Sequence, residues 1–333
     1  MNANAIAGVE LADPALAAAT AEGLSRVEDL LHREVHSDYQ FVTETSLHLI
    51  DAGGKRFRPL FTLLAAQIGP RPDDEQVLTA AAVVELIHLA TLYHDDVMDS
   101  ATMRRGAESA NFRWDNSVAI LTGDFLFAHA SRLVADLGPD AVRIIAETFA
   151  ELVTGQMRET RGPRPGEDPV RHYLAVIAEK TGSLIATSGR YGGMFSGCAP
   201  EHVEALRRFG AAIGTAFQIS DDVIDIASPS DSSGKTPGTD LREGVHTLPM
   251  LYALQDTGPD VDRLGTLLSR PITDDAEVDE ALELLRTGRG LARARDVLAE
   301  QASTARAELD KLPSCPATDA LAALTTYVVD RTA

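Results

Sequence analysis

The stretch Val84–Gly106, VELIHLATLYHDDVMDSATMRRG, begins as an apolar helical run and ends in clustered carboxylates followed by two arginines. Because an α-helix has about 3.6 residues per turn, Asp95 and Asp99 lie on one face. His88, seven residues before Asp95, shares that face. Carboxylates this close repel each other unless a cation lies between them. The stretch therefore predicts a metal site at the end of an apolar helix.

The composition excludes several classes of protein. Of the 333 residues, 44% are hydrophobic and only 5% are aromatic, which favours tightly packed helices over a β-sandwich. A net charge of −20 argues against a nucleic-acid partner. The two cysteines are too few for a disulfide framework, and the chain shows neither a basic leader nor an apolar run of membrane-spanning length. We expect a cytoplasmic protein without a transmembrane segment.

Helical periodicity runs through the chain, without convincing period-2 alternation. NFRWDN, residues 111–116, is expected to be an ordered loop, and residues 228–240 a surface loop. Because no linker separates two compositions, we predict one all-α domain over residues 1–333. The predicted helices cover residues 16–36, 39–50, 60–68, 117–137, 140–158, 170–191 and 201–226, with four more after residue 248. A further long helix is predicted to begin at a capping Asp73 or Asp74 and to lead into the stretch Val84–Gly106.

A second acidic motif ends another apolar helix. In FQISDDVID, Asp221, Asp222 and Asp225 repeat the spacing of the first motif, and Gln218 shares the face of Asp221. A single copy in an acidic protein is as easily a solvated helix end as a set of ligands. Two copies, each followed by a basic loop with glycine, favour Mg²⁺, which binds carboxylates and completes its shell with water and substrate phosphates.

Basic residues supply the complementary half of a phosphate site. Taken singly, each is more often a solvated surface residue, and a histidine in an apolar run is more often a core residue. Their placement beside glycines and acidic motifs nevertheless indicates phosphate binding, which suits Arg as a bidentate ligand and Lys as a point charge. The basic candidates are Lys55, Arg56, Arg58, Arg104, Arg105, Lys180 and Lys235.

The pair His94-Asp95 leaves open a second interpretation, a metal-dependent HD-type phosphohydrolase. Such enzymes also bind metal through His and Asp side chains on helices. That interpretation does not account for the second acidic motif, for GGKRFRP or for the arginine pair.

Several motifs together resemble the trans-polyprenyl diphosphate synthases of the class I isoprenoid synthase fold. In order, over about residues 50–250, these are GGKRFRP, the histidine before DDVMD, MRRG, EKTGSL, FQISDDVID and GKTPGTDLREG. The resemblance implies a helical bundle around a large central cavity, a homodimer, and condensation of isopentenyl diphosphate with an allylic diphosphate. It also implies about three Mg²⁺ ions per active site. A noncatalytic subunit of a heteromeric synthase and a class I terpene cyclase are the alternatives. Both acidic motifs are retained here, which argues against each.

The same resemblance implies a role for each motif residue. Isopentenyl diphosphate would bind to Lys55, Arg58, His88 and Arg105. The allylic diphosphate would bind to Arg104, Lys180, Thr181, Gln218 and Lys235, of which Lys180, Arg104 and Lys235 would act in catalysis by stabilising the departing pyrophosphate. Mg²⁺ would bind to Asp95, Asp99 and Asp221, supported by Asp222 and Asp225 directly or through water. The sequence departs from the family pattern after Arg242-Glu243-Gly244. Val245-His246 stands there in place of the lysine that is frequent in the family, which removes a phosphate contact.

Product length is predicted from the helix before Asp95. Ala90 and Thr91, five and four positions before Asp95, are small where short-chain members carry bulky aromatic residues. Ala90 is expected to face inward with Ile87, so that a growing chain can pass. We expect a medium- or long-chain product of about C30 to C50, with a short-chain farnesyl or geranylgeranyl diphosphate synthase as the alternative.

Overall fold

A computed structural model describes residues 5–6, 9–227 and 237–331. Helices dominate these ranges, so the all-α prediction is confirmed. The strands are β1 (Ala5–Ile6), β2 (Val9–Glu10), β3 (Met103–Arg104) and β4 (Ala107–Glu108), paired β1 with β2 and β3 with β4 as antiparallel hairpins. The helices are α1 (Pro14–Glu34), α2 (Gln40–Asp51), α3 (Phe57–Ala66), α4 (Glu75–Met98), α5 (Ala110–Arg113), α6 (Asn116–Asp136), α7 (Pro139–Arg161), α8 (Pro169–Ile177), α9 (Ser183–Ser196), α10 (Pro200–Ala227), α11 (Thr239–Glu243), α12 (Leu248–Ala253), α13 (Pro259–Leu267), α14 (Asp275–Thr287), α15 (Gly290–Leu309) and α16 (Pro316–Asp330).

Aspartate side chains begin several of these helices. The carboxylate of Asp74 accepts a hydrogen bond from the backbone N–H of Gln76 at 3.0 Å, so Asp74 rather than Asp73 caps α4. Asp13 and Asp115 cap α1 and α6 in the same way. A cap satisfies an N–H that has no partner inside the helix, and replacing one with alanine costs about 1 kcal/mol.

The helix α4 is a core helix. Nearly every residue from Val77 to Ala90 is buried, and α1, α3 and α6 pack against it. A helix buried on all sides needs apolar residues all round, which its sequence supplies. At Gly123 of α6, a Cβ atom would collide with the ring of His94 and lie 3.0 Å from the carbonyl oxygen of Ala90. Glycine therefore permits the close approach of α6 to α4.

The chain divides into two compact units. The first unit comprises the described residues of Met1–Ala150, Leu184–Gly210 and Glu308–Ala323, and the second those of Glu151–Ser183, Ala211–Ala307 and Leu324–Ala333. The first acidic motif belongs to the first unit, and the second motif to the second unit. The single domain over residues 1–333 stays a prediction.

The sequence-based predictions of secondary structure were wrong where the elements are short. NFRWDN does not form a loop throughout, because residues 110–113 make the single turn of α5, in which the N–H of Arg113 donates to the carbonyl oxygen of Ser109 at 2.9 Å. One turn is too short to produce a periodic pattern.

The segment after residue 248 forms five helices rather than four. A π-helical turn, Ala178–Gly182, separates α8 from α9 within the helix predicted over residues 170–191.

Two helices, α4 and α6, have the length and apolar composition of a membrane span. In α4 the apolar window is 72% buried inside the protein, as in the core helix of a globular fold, whereas in α6 the buried share is 39%. These features alone are weak evidence for a membrane span, and the absence of a transmembrane segment stays a prediction.

Candidate active site

Cations gather in the first unit around the start of α3 and the middle of α4. Burial, followed by the neighbouring Arg58 and Arg105 cations, lowers the pKa of His88 well below its usual value. Burial lowers the pKa of Arg58 to about 10, and the charge of Arg105 acts in the same direction. The buried Nε–H of Arg58 has no acceptor among the described residues. Three residues predicted to bind isopentenyl diphosphate thus lie together in a positively charged environment suited to an anion.

Two of the basic residues have a backbone conformation that is uncommon for residues other than glycine. Arg56 has φ +46° and Arg105 has φ +55°. Nη1 of Arg105 donates to the carbonyl oxygens of Leu49, at 2.9 Å, and of Gly53. Lys55 is exposed in the same turn, directly before Arg56. Residues held in the left-handed region cost energy and persist only where the surrounding contacts fix them.

The first acidic motif ends α4. Asp99 is exposed and caps the helix, its N–H donating to the carbonyl oxygen of Asp95 at 2.8 Å. Asp96 is fully buried, and its Oδ1 lies 2.6 Å from Nε of Arg104. Burial raises the pKa of Asp96, an effect that the charge of Arg104 opposes. Asp96 therefore holds Arg104 at the end of α4.

A chain of side-chain hydrogen bonds supports the second acidic motif in the second unit. The hydroxyl of Thr181 donates to Oε1 of Gln218 at 3.4 Å, and the amide of Gln218 donates to Oδ1 of Asp222 at 3.3 Å. The hydroxyl of Tyr173 donates to Oδ2 of Asp222. Burial raises the pKa of the Asp222 carboxyl well above its usual value, whereas the hydrogen bond from Tyr173 opposes that shift. Gln218 and Thr181 thus lie together, and their role in binding the allylic diphosphate stays a prediction.

The other two aspartates of this motif have different partners. Oδ1 of Asp221 lies 2.9 Å from Nη1 of Arg331, the first residue after α16. The carboxylate of Asp225 accepts the backbone N–H groups of Thr239 and Asp240, each at 3.1 Å. Asp222 is thus buried and hydrogen-bonded, whereas Asp221 and Asp225 are partly exposed.

Lys180 lies in the π-helical turn and forms an ion pair with Glu159 of α7. A Cβ atom at Gly155 would lie 2.6 Å from the backbone nitrogen of Lys180, so glycine permits α7 to approach this turn. Single π-helical turns occur frequently at functional sites. Lys235 and most of the predicted loop over residues 228–240 lie outside the described residues.

Of the residues predicted to control product length, Ala90 and Ile87 lie in the core, and Thr91 is partly exposed. Ala90 is 1% exposed and Ile87 is 2% exposed. The hydroxyl of Thr91 donates to the carbonyl oxygen of His88 at 2.8 Å. Val245, at the position of the departure after REG, is exposed. The roles of these residues stay predictions.

Each acidic motif fits Mg²⁺ in its chemistry. Asp95, Asp99, Asp221 and Asp225 offer carboxylate oxygens, the hard ligands that Mg²⁺ prefers. Within residues 9–227 and 237–331, no three His, Cys, Asp or Glu side chains converge as a complete metal site. Mg²⁺ usually binds through one or two carboxylates together with water and substrate phosphates.

Three residues with direct contacts to the predicted site were missed from the sequence. Glu85 precedes His88 by three residues and Tyr173 precedes Lys180 by seven, so helical spacing places each on the same face as a predicted residue. That spacing was the available signal. Arg331 carries no such signal, because its partner Asp221 lies far away in the sequence.

The chain is similar to known proteins over nearly its whole length. Residues 39–285 match the polyprenyl synthetase family. The nonaprenyl diphosphate synthase of Mycobacterium tuberculosis is 62% identical over 99% of this chain and 98% of its own. A dimethylallyltranstransferase of the same organism is 48% identical over 97% of this chain and 98% of its own.

A solved structure is similar over nearly the whole length. The geranylgeranyl pyrophosphate synthase of Corynebacterium glutamicum, complexed with calcium and isoprenyl diphosphate, is 53% identical, with a TM-score of 0.89 and coverage of 97% of this chain and 99% of that one. The match extends through both acidic motifs and GGKRFRP. These similarities do not support the phosphohydrolase interpretation. The protein belongs to the polyprenyl synthetase family and is a prenyltransferase.

Proposed function

We propose that the protein condenses isopentenyl diphosphate with an allylic prenyl diphosphate to make an all-trans polyprenyl diphosphate. The observation that carries this proposal is the cluster of the Arg58 and Arg105 cations with His88, in which the buried Nε–H of Arg58 has no acceptor among the described residues. A buried donor without an acceptor is costly, and a diphosphate oxygen would satisfy it. The calcium and isoprenyl diphosphate named for the Corynebacterium relative support the same ligand chemistry.

Mg²⁺ is the proposed cofactor, at about three ions per active site. Asp95, Asp99 and Asp221 would hold these ions, with support from Asp222 and Asp225. When bound, Mg²⁺ neutralises the charge that develops on the pyrophosphate leaving group. Arg104, held by Asp96, and Lys180, held by Glu159, contribute fixed positive charge for the same purpose.

The reaction requires no protein nucleophile. The C–O bond of the allylic substrate breaks and its electron pair leaves with pyrophosphate. The double bond of isopentenyl diphosphate then supplies the electrons of the new C–C bond. A proton leaves the resulting cation, and the released pyrophosphate accepts it. The protein's contribution is to bind both diphosphates, orient the reacting carbons and exclude water from the cation.

For product length we propose a medium- or long-chain product, about C30 to C50. The identity of 62% with a nonaprenyl diphosphate synthase supports this product length. So does the small side chain of Ala90, a buried residue of α4. A short-chain product is the second candidate, favoured by the identity of 53% with a geranylgeranyl pyrophosphate synthase.

One incubation tests both candidates. The purified protein is given isopentenyl diphosphate, Mg²⁺ and either farnesyl or geranylgeranyl diphosphate, and the products are sized by mass spectrometry. Elongation to C30 or beyond supports the proposal, and products that stop at C20 favour the short-chain candidate. Failure of the isolated protein to elongate either primer, and also dimethylallyl and geranyl diphosphate, would contradict the function and favour a noncatalytic subunit.

We also propose a cytoplasmic homodimer. The apolar side chains of Ile120 and Leu121 on α6 are 43% and 66% exposed, and contiguous exposed apolar residues are typical of an interface. Both cysteines are free, as is usual in a reducing compartment. Sedimentation of the wild type should give twice the monomer mass, and Leu121→Glu should shift it towards the monomer. A monomeric wild type would contradict the homodimer.

A further inference from the structure

Glu85 is a buried carboxylate among the cations of the first unit. Its side chain is 2% exposed, and its Oε1 lies 2.9 Å from Nη1 of Arg56 and 3.8 Å from Nη2 of Arg105. Burying a charge costs several kcal/mol unless a partner of opposite charge compensates for it. Glu85 therefore belongs to an ion-pair network that links α4, the GGKRFRP segment and the hairpin after the first acidic motif.

Arg56 uses its full hydrogen-bonding capacity inside the protein. A guanidinium has five N–H donors. Nε and Nη2 donate to the two carboxylate oxygens of Glu28 at 2.9 and 2.7 Å, and Nη1 donates to Glu85 at 2.9 Å. The remaining donors reach the carbonyl oxygens of Ile50, at 2.8 Å, and of Gly53, at 3.4 Å. Arg56 therefore has no N–H left for a phosphate, in contrast to Arg58.

Arg56 and Arg105 share one hydrogen-bond acceptor and one ion-pair partner. Both guanidinium groups approach Oε1 of Glu85, and both donate to the carbonyl oxygen of Gly53. A Cβ atom at Gly54 would lie 2.8 to 3.1 Å from the guanidinium of Arg105, so the chain here is fitted closely around that side chain. The position of Arg105 therefore depends on Glu85 and on the turn that Arg56 holds.

We propose that Glu85 and Arg56 are positioning residues for the isopentenyl diphosphate site. Glu85 is the counter-charge that lets Arg56, Arg58 and Arg105 lie close together without driving each other apart. Arg56 connects that carboxylate to Glu28 of α1 and fixes the turn before Arg58. Neither residue touches the substrate. The proposal rests on the proposed function, in which Arg58, His88 and Arg105 bind isopentenyl diphosphate.

The test is Glu85→Gln, which keeps the size of the side chain and removes its charge. We expect the KM for isopentenyl diphosphate to rise about tenfold or more, a change of about 1.4 kcal/mol or more. The KM for the allylic diphosphate should stay within about twofold. Calorimetric binding of isopentenyl diphosphate alone should weaken by the same factor. Glu85→Asp, which keeps the charge, should recover part of the affinity.

Glu75→Gln is the matched control, since Glu75 is also in α4 and pairs with Arg26, but is 80% exposed. It should leave both KM values unchanged. If Glu85→Gln does not fold, Arg56→Lys carries the test, because it keeps the charge and loses the bidentate contact with Glu28. It should raise the same KM selectively.

Three outcomes separate the hypotheses. A selective loss of affinity for isopentenyl diphosphate supports the positioning role. Unchanged KM values, or equal changes for both substrates, in a wild type that catalyses the condensation would overturn that role alone. A wild type without condensation activity would overturn the proposed function, whatever the variants do.

Discussion

Nη1 of Arg331 lies 2.9 Å from Oδ1 of Asp221. The same guanidinium donates to the hydroxyl of Ser220 at 2.7 Å and to the carbonyl oxygen of Phe217 at 2.8 Å, and it lies 4.1 Å from the centre of the Phe217 ring. The residue that follows α16 is thereby held to α10. A cation of the protein itself thus pairs with a carboxylate proposed to bind Mg²⁺.

Replacing Arg331 with Gln should lower the Mg²⁺ concentration for half-maximal rate by roughly threefold, because Mg²⁺ no longer competes with a partly exposed ion pair at Asp221. Initial rates over a Mg²⁺ titration measure this. The variant should also unfold at a lower temperature, since several contacts to α10 are lost. Arg306→Gln, at an exposed hydrogen bond to Thr326, is the control. A higher Mg²⁺ requirement would show that Arg331 assists Mg²⁺ binding instead.

Tyr173→Phe should raise the KM for the allylic diphosphate about tenfold, with little change in the KM for isopentenyl diphosphate. The variant removes only the hydroxyl that donates to Asp222, and a buried group left without its partner costs about 1 to 3 kcal/mol. Asp222 would then hold Gln218 less firmly. Steady-state kinetics with each substrate varied separately test this. Tyr39→Phe, at an exposed residue, is the control, and equal KM values in the wild type and Tyr173→Phe would refute the effect.

Asp95→Ala and Asp221→Ala should each reduce kcat by orders of magnitude, because each removes a proposed Mg²⁺ ligand. Mg²⁺ binding measured by calorimetry in the presence of an allylic diphosphate should weaken in both variants. Asp136→Ala, at an exposed residue at the end of α6, should leave activity unchanged. A mild effect at either motif would contradict the metal assignment.

Ala90→Phe should shorten the products, because a ring would fill the space along α4 through which the chain is proposed to grow. Mass spectrometry of the products measures the change. Ala90 is buried, and overpacking a core costs about 1 to 3 kcal/mol, so thermal unfolding is followed in parallel. Ala135→Phe, at an exposed residue of α6, is the control. Products of unchanged length in folded Ala90→Phe would show that Ala90 does not control product length.

His88 should make the protein less stable in mild acid. Its folded pKa lies below the ordinary value of 6.5, so between the two values the unfolded chain binds more protons. The stabilising contribution of the neutral ring is complete above pH 6.5 and decreases as the pH falls towards the folded pKa.

The limiting slope for one proton is about 1.4 kcal/mol per pH unit. His88→Gln should therefore flatten the decrease in the free energy of unfolding below pH 6.5, as measured by urea denaturation at successive pH values. His36→Gln, at an exposed residue, should not flatten it. Parallel curves for the wild type and His88→Gln would contradict a lowered pKa.

The long helices could be predicted from the sequence because their signals are local. The apolar period of α6 and the capping aspartate of α4 place those helices to within a few residues of the observed bounds. The π-helical turn at Ala178–Gly182 could not be predicted in this way, because it departs from the α-helical period for a single turn.

In the candidate site, too, residues in local motifs could be predicted from the sequence and residues with distant partners could not. The acidic motifs and GGKRFRP have fixed local spacing, so their residues could be selected from the sequence. Glu85 and Tyr173 act through partners distant in sequence, Arg56 and Asp222, and in a single sequence only the spacing to His88 or Lys180 pointed to them. Folding determines which charges become buried together, and local patterns do not specify that.

Asp225 accepts hydrogen bonds from three consecutive residues at the start of α11. Its carbonyl oxygen accepts the N–H of Gly238 at 3.0 Å, and its carboxylate accepts those of Thr239 and Asp240. The end of α10 and the start of α11 are therefore fixed to each other independently of the residues between them. Because the entropic cost of closing a loop grows only by about 0.6 kcal/mol for each doubling of its length, a change in the number of residues between these two helices should alter the free energy of unfolding little.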